Sequence, residues 1–299
     1  AFRTIINSLI GKAYMESQLE NSLKLLLNSK LEVLEQYLNA DILVYCGPIG
    51  NLNENVFLKI VEELAHSPNH HDTLYIMLTT TGGSAIAVER YVNIIRYHYS
   101  EVHFIVPDYA YSAGTIFCMS GDSIFMDYFS VLGPIDPQVQ NKEGKWVAAL
   151  GYLDKVNEYI EKAKSGTLTN VEFAILKDFD IAELRSFEQA RDLTIDLLKK
   201  WLVKYKFKNW KKHSDGQDVT IEEKQLRAKE IAAHLSDNND WKSHGRPINI
   251  EALKDLKLKI EDYSENIELR TKIRDYYETM SDYVRLKGFP IFIHDRIFL

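Results

Sequence analysis

Four short runs of apolar and β-branched residues constrain the fold of this chain more than any other feature of its sequence. The runs read ILVYCG, LYIMLT, VHFIVP and SIFMD, and all lie between residues 41 and 127. Segments with the apolar spacing of an amphipathic helix occur between them, around 52–67 and 84–99. Parallel strands need a crossover connection, usually a helix, so this alternation predicts an α/β fold with a parallel sheet and crossover helices on its faces.

Helical patterns flank this core on both sides. Leucines at helical spacing predict one or two amphipathic helices in the first forty residues. After residue 145 the chain shows helical periodicity with few breakers over 149–164, 180–208 and 221–235, and the lysine-rich stretch 208–217 suits an exposed linker. We therefore predict N-terminal helices at 1–40, an α/β core at 41–145, a helical extension at 146–212 and a mostly helical C-terminal region at 213–299.

Charge and cysteine content narrow the classes of function. The formal net charge is −7, from 43 acidic and 36 basic residues, which gives no electrostatic reason to expect nucleic acid or anionic membrane as a partner. No apolar run reaches the roughly 18–20 residues that a membrane helix needs, so we expect neither an anchor nor a signal peptide. Cys46 and Cys118 lie in apolar runs and are interpreted as reduced core residues. Together these features favour a cytoplasmic location.

Paired glycines mark the end of the second strand, in TTTGGSAIAVERYV at 79–92. Gly82 and Gly83 let the backbone approach a ligand closely, and the helix that begins near Ser84 directs amide N–H groups and its positive end toward the same place. Such a turn can stabilise a phosphate or a developing oxyanion, or it can be a tight strand-to-helix connection and nothing more. A phosphate loop is disfavoured because the chain has no GxxxxGK[ST] motif.

A serine opens the next helix, in YSAGTIFCMSGDSIFMD at 111–127. Ser112 precedes Ala113 and Gly114, whose small side chains leave space for a substrate beside the hydroxyl. The helix start supplies unpaired amides, so Ser112 could lie next to its own oxyanion hole, or it could be an ordinary N-cap. Both interpretations remain open on these residues alone.

Taken together, the two motifs resemble the ClpP/crotonase superfamily. The series DILVYCGPIG, LYIMLTTTGGS, VHFIVPDYAYSAGT, SIFMD and SVLGPIDPQV is similar to serine dehydrogenase proteinases, which are distant relatives of the ClpP and SppA peptidases. SAGT and GPIDPQ are the most specific pieces. The resemblance is strongest over 41–140 and continues more weakly to 241–260, and it implies a ClpP/crotonase-like fold. The first and last forty residues lie outside it, and the helical additions at both termini are predicted from apolar spacing alone.

The resemblance implies roles for three residues. Ser112 matches the family's nucleophile, and the backbone amides of Gly83 and Ala113 match the oxyanion hole of ClpP-like enzymes. No metal or organic cofactor is needed for acyl transfer of this kind.

The sequence offers two candidate bases to activate the serine, because the chain departs from ClpP. Where ClpP-like chains carry a histidine, SVLGPIDPQV offers Asp136. A Ser, Asp, His order would use Asp136 with His244 of SHGRPIN, whereas SppA-like enzymes use a lysine, for which Lys177 stands in a comparable position. We expect a Ser112–Lys177 dyad in preference to a triad of Ser112, Asp136 and His244, since a proline-bounded carboxylate can simply brace a loop. A lysine base needs burial to lower its pKa, which the preceding run FAIL permits.

The sequence thus predicts a serine peptidase that cleaves peptide bonds through an acyl-enzyme. Two alternatives are a catalytically inactive ClpP-like scaffold or adaptor and a crotonase-like acyl-CoA enzyme, against which the serine and GPIDPQ argue. The resemblance further implies a protein or peptide substrate and a homo-oligomer. The chain has no ATPase loop of its own, so energy-dependent unfolding would require a separate partner.

Overall fold

A computed structural model describes residues 2–50, 53–141, 143–237, 241 and 246–297, with side chains for all of these except 2–17, 138 and 146. In chain order the strands are β1 (Asp41–Cys46), β2 (Thr73–Thr79), β3 (Glu101–Val106), β4 (Tyr109–Ala110), β5 (Ser123–Met126), β6 (Val131–Leu132), β7 (Gln138–Gln140), β8 (Trp146–Ala148), β9 (Glu261–Asp262) and β10 (Phe292–His294). The helices are α1 (Phe2–Leu38), α2 (Glu54–Ala65), α3 (Ala85–His98), α4 (Ala113–Met119), α5 (Ala149–Lys164), α6 (Asn170–Lys177), α7 (Ile181–Trp201), α8 (Ile221–Leu235), α9 (Ile250–Asp255) and α10 (Ile267–Lys287), and a π-helical turn at Leu202–Lys206 extends α7.

The predicted parallel sheet is confirmed. A six-stranded sheet has the order β10-β1-β2-β3-β5-β9, in which every pair is parallel except β10 with β1. Its four central strands are the four apolar runs of the sequence. Because they are parallel, their carboxyl ends meet at one edge, and the loops that follow them lie together there.

Both faces of the sheet are buried. On β1, Leu43 and Tyr45 belong to the core shared with α2, α3 and α4. The alternate residues Ile42 and Val44 belong to a second core shared with α1 and α10. This alternation follows from the two-residue repeat of a strand, and burial on both sides explains why the runs are apolar throughout.

The terminal additions complete the second face. Residues 2–38 form a single helix, whereas the leucine spacing was compatible with either one helix or two. It packs beside α10, and Lys30 of α1 forms an ion pair with Asp275 of α10. The chain then returns through β10, a three-residue strand that the sequence analysis did not predict. Among the helices of the described ranges, none combines the length and apolarity needed to cross a membrane.

The helical extension leads back to the main core. Phe207, which precedes the lysine-rich stretch, is buried there and Trp210 packs against this core. Most of 211–217 is exposed, in keeping with the expected linker. Cys118 lies in the same core and burial raises the pKa of its thiol, in keeping with an unreactive core residue.

Candidate active site

Ser112 occupies a strained turn at the carboxyl edge of the sheet. It links β4 to α4 with φ 53° and ψ −113°. For a residue with a Cβ this conformation costs on the order of 1–3 kcal/mol, and it persists only where surrounding structure imposes it. A serine on a sharp strand-to-helix turn is also how α/β-hydrolases present their nucleophile.

Ser112 does not act as an ordinary N-cap. Ser84, at the same position of α3, accepts a hydrogen bond from the amide of Ala87, whereas the Ser112 side chain makes no capping hydrogen bond. The Ser112 hydroxyl instead donates to the backbone carbonyl of Asp136 over 3.4 Å, a long and weak contact. The Ser112 hydroxyl therefore does not cap the amides at the start of α4.

The paired glycines lie directly against this turn. A Cβ added to Gly82 would sit 2.7 Å from the Tyr111 carbonyl oxygen and 2.9 Å from the Ser112 Cβ. The Gly82 amide is held by the Thr80 hydroxyl at 3.0 Å, and Gly82 has a φ of 103° that favours glycine. The strand-end glycines and the serine, 30 residues apart, thus form one site.

Gly83 is enclosed by a different neighbour. Its φ is 144°, and a Cβ there would lie 1.9 Å from the Ile49 carbonyl oxygen. The Ile49 amide donates to the Gly82 carbonyl at 2.8 Å, and the Ser84 amide donates to the Ile49 carbonyl at 2.9 Å. The backbone of Ile49 therefore excludes a side chain at Gly83 whether or not a ligand is bound.

The amides of Gly83 and Ala113 are both outside the internal hydrogen-bond network. No hydrogen bond within the described ranges uses either N–H group as a donor. For Ala113 this follows from its place as the first residue of α4, since the first amides of a helix have no partner within it.

Asp136 contacts the serine through its backbone and the next helix through its side chain. The residue is buried, and one carboxylate oxygen accepts a hydrogen bond from the Leu150 amide at 3.1 Å, in the first turn of α5. A carboxylate at a helix start is favoured by the unpaired amides and the helix dipole. This bond fixes the GPIDP loop beside Ser112.

Thr115 connects that loop to α4, the helix that follows Ser112, and sequence reasoning missed it. Its hydroxyl oxygen lies 2.9 Å from the Ala110 carbonyl and 2.8 Å from the Gly133 carbonyl, and it accepts from the Gly133 amide at 3.1 Å. The threonine of the SAGT motif was the signal that could have identified it.

Of the two candidate bases, the structure describes Lys177 but not His244. Lys177 is an exposed residue at the end of α6, a helix that buries no residue, so the run FAIL does not provide the expected burial. No hydrogen bond links it to Ser112 among the described contacts. His244 lies outside the described residues. Over the described ranges, no group of three or more His, Cys, Asp or Glu is arranged to hold a metal.

Comparison with known proteins places these features in context. A family model described as "ClpP-like SDH-type serine proteinase" matches residues 58–284. Two uncharacterized proteins of Methanocaldococcus jannaschii are similar: one is 28% identical over 214 residues, covering 71% of this chain and 58% of that protein. The other is 31% identical over 186 residues, covering 62% of this chain and 52% of that protein. The chain thus spans little more than half the length of these relatives.

Similar solved structures share little sequence with this chain. A variant of the 1510-N membrane-bound stomatin-specific protease is 16% identical with a TM-score of 0.43, covering 77% of this chain and 81% of that one. The ClpP protease catalytic domain of Plasmodium falciparum is 15% identical with a TM-score of 0.32, covering 53% of this chain and 85% of that one.

Proposed function

The chain belongs to the family of ClpP-like SDH-type serine proteinases, and from this premise we propose that it hydrolyses peptide bonds through an acyl-enzyme on Ser112. The observation that carries the proposal is the backbone of Ser112, held at φ 53° without a capping hydrogen bond. Because the Ser112 hydroxyl does not cap α4, it can be presented to a substrate as a nucleophile.

In the proposed reaction, Ser112 Oγ adds to the substrate carbonyl while its proton passes to a base. The carbonyl oxygen becomes an oxyanion, which the amides of Gly83 and Ala113 stabilise by donating hydrogen bonds. The base then protonates the leaving amine as the peptide bond breaks, and water releases the acyl group by the same steps in reverse.

For the base we propose His244 ahead of Lys177, supported by how the chain is anchored on either side of His244. At one end the Leu235 carbonyl accepts a hydrogen bond from the Ile135 amide at 2.8 Å. At the other, Ile248 pairs with Leu132, with N···O distances of 2.9 and 2.8 Å. The first anchor holds Ile135 within the Gly133–Asp136 loop that contacts Ser112, and the second holds Leu132 immediately before that loop. His244 is four positions before Ile248 in the chain, a reach of about 13 Å when extended.

Labelling with a fluorophosphonate followed by intact mass spectrometry tests the nucleophile. Because only 4% of Ser112 is exposed, a small phosphonate and a time course of hours are used. We expect one adduct that Ser112→Ala abolishes, while Ser84→Ala, a serine at the start of the neighbouring helix, retains it. An adduct that persists in Ser112→Ala would refute the assignment.

A fluorogenic peptide library tests the reaction itself. Folded wild-type protein that neither reacts with the phosphonate nor cleaves any member of the library would support the inactive scaffold instead.

We further propose that the chain forms a homo-oligomer and that a separate partner supplies any unfolding activity. The mass of the assembly in solution tests the homo-oligomer.

A further inference from the structure

A cavity of about 530 Å³ lies at the opposite edge of the sheet from Ser112. Its lining includes Asp122 and Ser123, where β5 begins, and Ser123 pairs with His103 near the start of β3. Ser112 follows the carboxyl end of β3, and a six-residue strand spans about 20 Å. The cavity is therefore separate from the proposed active site, and its volume is typical of small-molecule sites.

The cavity is positively charged although the whole chain is acidic. Four cationic side chains line it: Lys206, Arg227, Lys257 and Lys259. The lining carboxylate of Asp122 is already paired with Arg96 at 2.9 Å and Lys208 at 2.7 Å. The negative charge of Asp122 is thus neutralised by two cations that do not themselves line the cavity.

Among the residues that the structure describes, two of the four cations form no ion pair with a carboxylate. Arg227 pairs with Glu230 and Lys259 with Glu261, whereas Lys206 and Lys257 form no ion pair within the described ranges. Two unpaired ammonium groups at one cavity make an anion the complementary ligand.

Lys206 is the more constrained of the two. It ends the π-helical turn, a form found frequently at functional sites, and its ammonium donates to the Lys259 carbonyl at 2.6 Å. Burial lowers the pKa of Lys206 to about 8. An ammonium has three N–H donors, so an entering anion could accept from the others and restore the solvation that burial removed.

Aromatic rings supply a second kind of surface. Phe207 and Trp210 line the same cavity, with ring centroids 5.7 Å apart at 71°. Both rings border the cavity that the lysines line, which suits a ligand that joins a planar ring to an anionic group.

We propose that this cavity binds a nucleotide, with its phosphates on Lys206 and Lys257 and its base against Trp210. Two unpaired lysines match the charge of a diphosphate more closely than that of a single carboxylate.

Isothermal titration calorimetry of the full chain with ADP, GDP and UDP tests the proposal, with adenosine and inorganic pyrophosphate as half-ligands. We expect at least one nucleotide to bind about tenfold or more tightly than either half-ligand, because the charged and aromatic contacts act together. The proposal fails if no nucleotide binds, or if pyrophosphate alone binds as tightly.

Matched variants locate the site. Lys257 has a φ of 62°, so Lys257→Gly removes the charge while relieving backbone strain. We expect about tenfold weaker nucleotide binding with no loss of thermal stability. Lys254→Ala removes the same charge three residues earlier, outside the cavity lining, and should bind as wild type does. Equal binding by the Lys257→Gly variant and wild type would overturn the assignment.

Discussion

Gly82 and Ser112 are in direct contact at the carboxyl edge of the sheet: a Cβ on Gly82 would lie 2.9 Å from the Cβ of Ser112. The turn that ends β2 therefore packs directly against the turn that carries Ser112, the proposed nucleophile. This contact, and not the spacing of either motif, makes them a single site.

We predict that Gly82→Ala inactivates the protein while leaving it folded. The new methyl group must displace the Ser112 turn or the Tyr111 carbonyl, and a φ of 103° adds strain of roughly 1–3 kcal/mol. Phosphonate labelling should fall at least tenfold. Gly151→Ala, in α5 with nothing within 4 Å of the added Cβ, is the control and should label normally.

Gly83→Ala should unfold or severely destabilise the protein. A contact of 1.9 Å with the Ile49 carbonyl cannot be relieved by a side-chain rotation. Thermal denaturation should show a larger loss of stability for Gly83→Ala than for Gly82→Ala. A lost oxyanion donor costs roughly 100- to 1,000-fold in kcat. A stable variant that shows only this loss of kcat would mean that the backbone of the turn can shift to accommodate the added methyl group, contrary to our expectation.

Thr115→Val should lower kcat because the loop carrying Asp136 loses its anchor to α4. Removing a hydroxyl from buried polar partners costs about 1–3 kcal/mol. Thr115→Ser, which keeps the hydroxyl, should restore most of the activity. The control is Thr194→Val: the Thr194 hydroxyl is buried with no hydrogen-bond partner within the described ranges, so its loss should leave stability unchanged or higher.

The pH dependence of kcat/KM distinguishes the two proposed bases. A histidine base must be neutral to accept the serine proton, so activity should rise through about pH 6–7. We expect His244→Ala to lose activity and Lys177→Ala to keep it. The reverse result, with a rise near pH 8 or above, would establish the dyad. Full activity in both variants would exclude both residues.

Acid should destabilise the fold through His294. Burial lowers the pKa of this histidine to about 3, below the ordinary value near 6.5. Its ring nitrogens contact the Tyr276 hydroxyl at 2.6 Å and the Asn28 side-chain oxygen at 2.7 Å. Because the folded state favours the neutral ring, its contribution is complete above about pH 6.5 and declines as the pH falls toward 3.

The measurement is the free energy of unfolding between pH 7 and pH 4. His294→Gln should be less stable than wild type at pH 7 and should lose less stability on acidification. An identical pH dependence in the variant and wild type would contradict the role of His294.

Local pattern predicted much of this architecture. Strand and helix periodicities placed the four central strands and most helices within a few residues, because burial on one or two faces repeats at fixed intervals along the chain. β10 escaped prediction because FIH is too short to show a period, and it is ordered by pairing with β1.

The sequence by itself determined the strand-ending glycines and the serine before a helix of small residues, since each depends on neighbouring residues only. It also determined the family resemblance, which depends on the order of such local motifs along the chain. Tertiary structure decided that Gly82 touches Ser112, that Ile49 encloses Gly83 and that Thr115 holds Gly133. It also brought Lys206 and Lys257 to one cavity from distant segments. Contacts of this kind depend on how elements pack in three dimensions, and no local spacing encodes them.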